Sequence, residues 1–335
     1  MVRIWFNHWF STSYQIINLL KKENKDFVVI GSNRQYYSVI QNACDEWYEE
    51  PELNGEEYLE FCIGFCKKNK INAFVPKHNM VDISKNIDRF HEIGVKVMVD
   101  KYELISILSN KDKTYDLFKN SKNIQVPDFK VVRSLVEFEE AYRELNKKYE
   151  RVCVKFVQDE GGQSFRIIEN TISKFAALSL YPSSKISYLS FVDALSDEVE
   201  FKDMIVMPYL PGNEISVDCL KTANGLIAIP RMKGPSRDEQ IQFHDDIIGM
   251  CNEILEKVPL EYPCNIQFKI LDNIPYLLEI NTRMSGGIQM SCLATEVNIP
   301  DIAINKLLGV NKKWSANKST KRVSYIEMAQ LIELD

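Results

Sequence analysis

Short apolar runs alternate with amphipathic segments over about the first hundred residues of the chain. Residues 13–22, 55–70 and 87–94 carry apolar side chains at helical spacing. The strand-like runs that they separate are VRIWF (2–6), DFVVIGS (26–32), INAFVPK (71–77) and VKVMVD (95–100). Strands separated by helices predict a parallel sheet with right-handed crossovers, and the ligands of such sheets bind at the carboxyl ends of the strands.

The pattern changes after this region, which predicts further domains. The middle of the chain has a helical stretch over 102–121 with a break near Asn110, a helix at 135–149, and strands at 128–132, 151–158 and 165–169. The last third has strands at 203–210, 214–222 and 225–234, helices at 242–258 and 288–308, and a hairpin at 265–283. We predict an α/β and α+β multidomain protein: a parallel α/β domain over 1–105, a small domain over 106–205, and an antiparallel-sheet domain over 206–335.

Composition excludes several classes of function. The formal net charge of −6 argues against sequence-independent nucleic-acid binding, which needs a basic surface. No apolar run is long enough for a membrane helix, and the N-terminus lacks the apolar stretch of a signal peptide. Only Cys62 and Cys66 of the eight cysteines lie close together, without a second pair at zinc-site spacing. We therefore expect reduced thiols on a buried helix face and a cytoplasmic protein.

The hairpin NIQFKILDNIPYLLEINTR carries candidate metal ligands. Glu279 and Asn281 are two residues apart and share a face of the second strand. Gln267 reaches the same face if the hairpin turns at residues 272–273. Three oxygen ligands of this kind suit Mg²⁺, which keeps waters and bridges phosphates. The alternative is a half-exposed hairpin with a polar outer face.

The residues after the hairpin favour the ligand-binding interpretation. Arg283 has the fork geometry that suits a phosphate or a carboxylate. Ser285, Gly286 and Gly287 then open a helix and offer backbone N–H groups to an anion.

Lys155 and the loop after it form a second candidate site. Lys155 shares a face with Cys153 and Val157 in the strand RVCVKFV, so its amine must reach solvent or meet an anion. The loop DEGGQS contains Gly161, Gly162, Gln163 and Ser164, and adjacent glycines let backbone amides approach phosphate oxygens. A snorkelling lysine before an ordinary turn is the alternative.

Two further segments contribute candidate residues. In MPYLPGNEISVD, extended backbone at Met207, Pro208, Tyr209 and Leu210 can pair with the edge of a base, and Glu214 can accept from ribose hydroxyls. A simple turn with a surface glutamate is the alternative. At the ends of the first and third strands, Asn7, His8, Ser11 and His78 are candidates for lining a substrate pocket.

The order of these parts is more specific than any one of them. A helix opened by Lys111-Asp112-Lys113, the VKF strand with its glycine loop, PGNEISVD, PRMKG, and QFKI with YLLEINTRMSGG follow one another over roughly residues 105–310. This series resembles the ATP-grasp superfamily, and within it the carbamoyl-phosphate-synthase-like and amino-acid-ligase-like members. The N-terminal α/β region is similar to the domain that precedes ATP-grasp in those enzymes.

The resemblance implies that the small middle domain acts as a lid and that ATP binds between this lid and the C-terminal domain. Lys113 and Lys155 would contact phosphates or the base, loop 160–164 would close over the phosphates, and the backbone at 207–210 would read adenine, with Glu214 on the ribose. One or two Mg²⁺ ions would be bound by Gln267, Glu279 and Asn281. Arg283 and Arg231 would face the transferred phosphate and the carboxylate, with Asp218 and residues 285–287 on the substrate side.

The implied reaction is ATP-dependent ligation of a carboxylate, from an amino acid or small acid, to an amine through an acyl phosphate. Gln267 stands where many relatives have a metal-binding acid, and Met207 stands where an acid often precedes the hinge. These departures keep open an acid-phosphorylating or carbamoyl-type enzyme and a non-catalytic nucleotide-binding protein. No GxGxxG follows a strand, which argues against a nicotinamide-dependent oxidoreductase. The expected partners are small molecules, and a homodimer is one option for the assembly.

Overall fold

The computed structural model describes residues 1–8, 10–35, 37–158, 162–169 and 184–332. The chain forms two compact units. The first comprises Met1–Ser106, Asn213–Gln267 and Ile280–Asp335, and the second comprises Ile107–Gly212 and Phe268–Glu279. The division at 105 and 205 into three sequential domains stays a prediction.

The N-terminal part of the first unit is a parallel five-stranded sheet in the order β3-β2-β1-β4-β5. Its strands are β1 (Val2–Asn7), β2 (Phe27–Asn33), β3 (Glu46–Glu49), β4 (Ala73–Val75) and β5 (Lys96–Val97). Its helices are α1 (Ser13–Glu23), α2 (Gly55–Lys68), α3 (Met80–Lys85) and α4 (Ile87–His91), with a 3₁₀ turn at Val39–Ala43. The predicted parallel sheet is confirmed.

Strand β1 is apolar on both faces because both faces of the sheet are covered. Ile4 and Phe6 belong to an apolar cluster that also contains residues of α1. Trp5 points the other way, stacks on Phe74 at a centroid distance of 4.1 Å, and belongs to the cluster that contains α2. A near-continuous apolar run is the pattern expected of a parallel strand buried on both sides.

The second unit contains a five-stranded sheet in the order β6-β10-β7-β8-β9. Its strands are β6 (Lys130–Val132), β7 (Val152–Phe156), β8 (Arg166–Ile168), β9 (Lys185–Ile186) and β10 (Met204–Pro208). The chain enters this unit through α5 (Tyr102–Leu108), and the unit's other helices are α6 (Lys111–Phe118), α7 (Leu135–Lys148) and α8 (Tyr188–Ser196). Asn110 has extended backbone and separates α5 from α6, which confirms the predicted break.

The last third forms a six-stranded sheet in the order β15-β14-β11-β12-β13-β16. Its strands are β11 (Glu214–Thr222), β12 (Gly225–Lys233), β13 (Asp238–Ile241), β14 (Cys264–Leu271), β15 (Ile274–Asn281) and β16 (Lys321–Ser324). The helices are α9 (Asp245–Lys257), α10 (Ile288–Thr295) and α11 (Ile299–Leu308). β11 and β12 pair antiparallel, as predicted for this domain, and β12 with β13 and β13 with β16 pair in the same way.

The single helix predicted over 288–308 is wrong. Glu296 adopts a left-handed conformation with φ 64°, which ends α10, and Pro300 lies in the first turn of α11. Strands β3, β13 and β16 were not predicted, since their sequences EWYE, DEQI and KRVS are short and largely polar. In the first unit, the cluster around Ile4 also includes Ile229 and Ile304, so segments distant in sequence share one core.

Asp100 is a buried carboxylate in this unit, and only 4% of its surface is exposed. Its Oδ1 accepts a hydrogen bond from the Glu261 N–H at 2.6 Å, and its Oδ2 has no partner among the described residues. Burial raises the pKa of Asp100 to about 6, although the backbone N–H groups of Glu261 and Tyr262 act in the opposite direction.

Asp100→Asn should therefore stabilise the protein more as the pH rises. The pKa of Asp100 is higher in the folded state, so its carboxyl group loses the proton at a higher pH there than in the unfolded chain. The original protein therefore loses stability as the pH rises from about 4 through about 6. We expect a gain of about 1–3 kcal/mol at about pH 7.5 and none at about pH 4, measured by denaturant unfolding at both pH values. The exposed control Asp26→Asn should show no such difference, and an equal effect of Asp100→Asn at both pH values would contradict the assignment.

Candidate functional site

The hairpin β14–β15 turns where the sequence predicts. Asp272 and Asn273 form the turn, with φ values of 51° and 63°. Positive φ at both central residues is characteristic of the tight turn that matches the twist of paired strands. Leu277 is buried, whereas Glu279 and Asn281 on the same face of β15 are partly exposed. The polar side chains of this strand are therefore accessible to a ligand.

Helix α6 is attached to this hairpin within the second unit. The Tyr115 hydroxyl donates to the Leu278 carbonyl at 2.8 Å. One turn earlier, Lys111 is 9% exposed, and its Nζ lies 3.8 Å from Glu279 Oε2. The residues at i and i+4 of α6 thus face consecutive residues of β15.

Sequence reasoning missed Lys111. It chose Lys113, whose side chain is exposed on α6. Lys111, Tyr115 and Phe118 share the buried face of the helix. That helical spacing was the available signal, since a lysine in line with buried aromatic residues must bring its charge to a partner.

Lys155 is also buried, with 7% of its surface exposed in strand β7. The following loop is fastened to that strand because Ser164 Oγ accepts the Phe156 N–H at 2.8 Å. Gly162 has φ 67°, and the Gln163 carbonyl accepts from Arg166 Nη1 at 3.0 Å. Gly161 and the rest of 159–161 lie outside the described residues.

The predicted hinge, residues 207–210, begins at the end of β10, and its apolar side chains are buried. Met207 and Leu210 are 2% and 4% exposed. The Tyr209 N–H donates to the Arg151 carbonyl at 2.9 Å, and the Arg151 guanidinium lies 4.7 Å from the Tyr209 ring centroid. Gly212 N–H donates to the Ile270 carbonyl at 3.1 Å, and a Cβ at this position would collide with that oxygen. Pro208 ends the strand, so the hinge backbone has a defined path.

Arg231 is the centre of a buried network in the first unit, with 2% of its surface exposed. Its Nε donates to Asp218 Oδ2 at 2.9 Å and its Nη1 donates to Glu239. Its Nη2 donates to Ser285 Oγ at 3.0 Å and Ser216 Oγ at 3.3 Å. Burial by itself lowers the pKa of Arg231, but the two carboxylates more than offset this and raise it.

Asp218 is fully buried and completes this network. Besides Arg231, it accepts from Ser285 Oγ and Ser291 Oγ, each at 2.6 Å, and from Asn265 Nδ2 at 2.8 Å. Gln267 Nε2 in turn donates to Asn265 Oδ1 at 3.2 Å. A candidate metal ligand is thus connected by hydrogen bonds to the turn at Ser285.

The glycines after Ser285 allow two close approaches in the first unit. A Cβ at Gly287 would collide with the Arg231 guanidinium, and one at Gly286 would lie 3.2 Å from Thr12 Oγ1. Arg283 lies with its guanidinium carbon 5.3 Å from the Phe10 ring centroid. The turn at 283–287 therefore contacts the loop that follows β1.

The candidate substrate residues of the N-terminal sheet occupy different environments. Asn7 is fully buried, and it donates to Tyr58 Oη at 2.8 Å and accepts the Lys77 N–H at 2.7 Å. His8 has φ 48°, and its ring centroid lies 5.1 Å from that of His78. Ser11 is exposed in the turn just before α1. Asn7 is thus a buried residue with protein partners, whereas the rings of His8 and His78 lie next to each other.

Glu214, the candidate for contacting the ribose, forms an ion pair. It lies 2.5 Å from Lys233 Nζ.

Among the described residues, no group of three or more His, Cys, Asp or Glu side chains forms a metal cluster. Within the same part of the chain, no helix is long and apolar enough to cross a bilayer.

Comparison with known proteins agrees with this fold. Residues 200–329 match the family described as ATP-grasp in the biosynthetic pathway with Ter operon, and residues 10–98 match the PylC-like N-terminal domain. The chain therefore contains an ATP-grasp domain. The resemblance and the fold class stated from the sequence are confirmed.

Individual relatives of this chain are distant in sequence. The carbamoyl phosphate synthase large chain of Pseudothermotoga lettingae is 22% identical over 305 residues, which is 86% of this chain and 26% of that protein. This chain thus spans about a quarter of the length of that relative.

Two solved structures illustrate the range of relatives with this fold. An ADP complex of N5-carboxyaminoimidazole ribonucleotide synthetase matches with TM-score 0.71 and 11% identity, covering 96% of this chain and 80% of that one. The L-amino acid ligase of Bacillus licheniformis matches with TM-score 0.65 and 12% identity, covering 92% and 74%. At these identities the similarity establishes the fold.

Arg231→Met should strongly destabilise the first unit. It would leave the carboxylates of Asp218 and Glu239 buried without their cation, a change that costs about 3–5 kcal/mol. The matched control is Arg322→Met, which removes the ion pair between an exposed arginine and partly buried Asp238 and should cost at most about 1 kcal/mol. Urea denaturation of both variants measures the difference, and similar losses in the two would contradict the network's role.

Proposed function

We propose that this chain is an ATP- and Mg²⁺-dependent ligase that joins a carboxylate to an amine. The carboxylate would be activated as an acyl phosphate, with release of ADP, and the amine would then displace inorganic phosphate. The observation that supports this most is the hairpin of the ATP-grasp fold, which presents partly exposed Glu279 in contact with buried Lys111. A carboxylate and a lysine on rigid elements suit a site for a metal ion and phosphates.

The proposed metal ligands are Glu279, Asn281 and Gln267. All three offer oxygen, which hard divalent cations prefer. Because Gln267 Nε2 donates to Asn265, its Oε1 is the atom that remains for a cation, so the donor set fits Mg²⁺. One carboxylate with two amides favours a single strongly bound ion. When bound, MgATP supplies the phosphoryl group and neutralises part of its charge.

For the nucleotide we propose Lys155, Lys111 and Lys113 near phosphates, with the loop containing Gly161, Gly162, Gln163 and Ser164 above them. The amines of Lys155 and Lys111 are effective here because both residues are buried and their charge is poorly screened. The hinge backbone at 207–210 would read the base and Glu214 the ribose. Within the described residues the Leu210 N–H has no hydrogen-bond partner, which suits an acceptor on a base.

On the substrate side, we propose that Arg283 and the turn of Ser285, Gly286 and Gly287 orient the carboxylate. Arg231 already directs its guanidinium at two carboxylates and two serines, so we assign it a positioning role through Ser285. Asp218 acts with it. The chain's contribution is then mainly the placement of reactants and stabilisation of charge.

The deciding experiment is an ADP-release screen of the purified protein with MgATP and paired small acids and amines. A ligase requires the acid and the amine together. An acid-phosphorylating enzyme needs the acid alone, and a non-catalytic nucleotide-binding protein shows ATP-dependent thermal stabilisation without ADP release. Either of these last two results would overturn the ligase assignment.

Glu279→Gln should abolish Mg²⁺-dependent ADP release with little loss of stability, because an amide keeps the shape but not the charge that binds the cation. The matched control is Glu256→Gln at an exposed position of α9, which should retain full activity. Turnover as a function of Mg²⁺ concentration is the measurement, and retained activity in Glu279→Gln would refute the metal assignment.

Lys155→Ala should raise the KM for ATP about tenfold or more, equivalent to about 1.4 kcal/mol of lost binding. Lys147→Ala, at an exposed position of α7, serves as the control and should leave KM unchanged. Thermal denaturation of the variant verifies folding. If the KM of a folded Lys155→Ala variant equals that of the original protein, the lysine has no role in nucleotide binding.

A further inference from the structure

Basic side chains collect at one edge of the N-terminal sheet. His8 follows β1, Arg34 follows β2, and Lys77 and His78 come just after β4. These three strands are neighbours in the order β2-β1-β4 and run parallel, so their carboxyl ends lie side by side. We call this group, together with Asn79, the basic edge.

Arg34 contacts His78 of the basic edge and the segment that precedes α2. Its Nη2 donates to the Leu53 carbonyl at 2.6 Å and to Asn54 Oδ1 at 3.2 Å, and it lies 3.3 Å from His78 Nε2. A guanidinium nitrogen can only donate, so this contact is a hydrogen bond when His78 Nε2 is the acceptor. The His78 ring also contacts the Tyr58 ring at a centroid distance of 4.8 Å. Arg34 is thus held in one orientation.

Two donors of the basic edge have nothing to donate to. Arg34 Nε and Asn79 Nδ2 are buried and have no hydrogen-bond partner among the described residues. Both atoms are donors only. A buried polar group without a partner costs about 1–3 kcal/mol, so these two atoms favour a ligand that brings acceptors.

Hydroxyl groups extend the same pattern into the start of α1. Thr12 Oγ1 and Ser13 Oγ are buried and also have no partner within the described part of the chain. Asn79 has φ 58°, a left-handed conformation that turns the chain directly after His78. The orphan groups therefore come from segments that follow three neighbouring strands, rather than from one irregular loop.

The buried carboxylate of Glu50 is hydrogen-bonded to groups other than Arg34. Glu50 is 3% exposed and accepts from Ser32 Oγ at 2.7 Å and from Tyr58 Oη at 2.6 Å. Among the described residues, Arg34 forms no ion pair with any carboxylate. The charge of Arg34 is therefore available to an anion.

The basic edge is connected to the candidate substrate residues of the same unit. The chain from His8 to Ser13 begins at the basic edge. Its middle reaches the turn after the hairpin, where Phe10 lies against Arg283 and Thr12 lies beside Gly286. One short loop thus joins the basic edge to the turn at 283–287.

We propose that the basic edge binds an oxyanion, a carboxylate or a phosphate group, through Arg34 Nε and Asn79 Nδ2 with support from His8 and Lys77. Resting on the proposed ligase function, the acid substrate then carries this second anionic group in addition to the carboxylate that is activated. The substrate class is a dicarboxylic acid or a phosphorylated acid. Donor-only groups with a fixed guanidinium provide the chemistry that recognises such an anion.

Histidine NMR tests the proposal directly in the full chain without nucleotide. The protein has only four histidines, and His91 and His244 lie outside the basic edge. Inorganic phosphate, glutarate and neutral glutaramide are titrated at constant ionic strength. We expect phosphate or glutarate to shift the His8 and His78 resonances saturably and to leave the other two unchanged, with no effect of glutaramide. If phosphate binds more tightly than glutarate, the second anionic group of the substrate is a phosphate; if glutarate binds more tightly, it is a carboxylate.

Variants assign the binding to the proposed donors. Arg34→Gln should weaken the tighter anion about tenfold or more. Asn79→Gly removes the amide donor while glycine tolerates the left-handed backbone, so it tests the site even if Arg34→Gln does not fold. It should weaken binding several-fold. Lys68→Gln, at an exposed position on α2, is the matched control and should bind as the original protein does.

The proposal is overturned if neither anion shifts His8 and His78, if all four histidines shift alike, or if folded Asn79→Gly binds with unchanged affinity. These outcomes are separable from failure of the ligase. Saturable histidine shifts without any ADP release would overturn the ligase and leave the anion site. ADP release with simple monocarboxylic acids and no histidine shift would leave the ligase and overturn the anion site.

Discussion

The buried guanidinium of Arg231 is the constraint on which the first unit's site depends. It is almost completely removed from water, and it donates to Asp218, Glu239 and Ser285 on different elements. A buried charge is tolerated only when partners surround it with good geometry. Strands β11, β12 and β13 and the start of α10 must therefore keep one arrangement. Gly287 completes this arrangement because any side chain there would collide with the guanidinium.

In the second unit, too, buried polar side chains fix how two elements are arranged. Tyr115 and Lys111 attach α6 to β15 through a carbonyl and a carboxylate. Both residues are buried, so their polar ends must find partners, and both partners lie on the hairpin. The position of the Glu279 carboxylate thus depends on a helix more than 150 residues earlier in the chain. The basic edge of the N-terminal sheet differs, since some of its buried donors have no protein partner.

Local patterns predicted much of the fold. The apolar β1 run with its flanking helices indicated a parallel sheet, and the break near Asn110 and the turn at Asp272-Asn273 follow from residue types that favour those conformations. The failures have physical causes. Glu296 in a left-handed conformation splits the last predicted helix, although glutamate rarely adopts it. Strand β13 is polar and short, so only its pairing with β12 and β16 identifies it as a strand.

The sequence by itself determined the order of elements, the ATP-grasp resemblance and most of the candidate residues, because these depend on spacing along the chain. Only the tertiary structure decided that Lys111 rather than exposed Lys113 meets Glu279, and that Arg231 is enclosed by carboxylates. It also placed Arg34 beside His78 and brought Thr12 close to Gly286. These are contacts between residues far apart in sequence. They depend on which buried polar groups find partners, and a single sequence does not record those pairings.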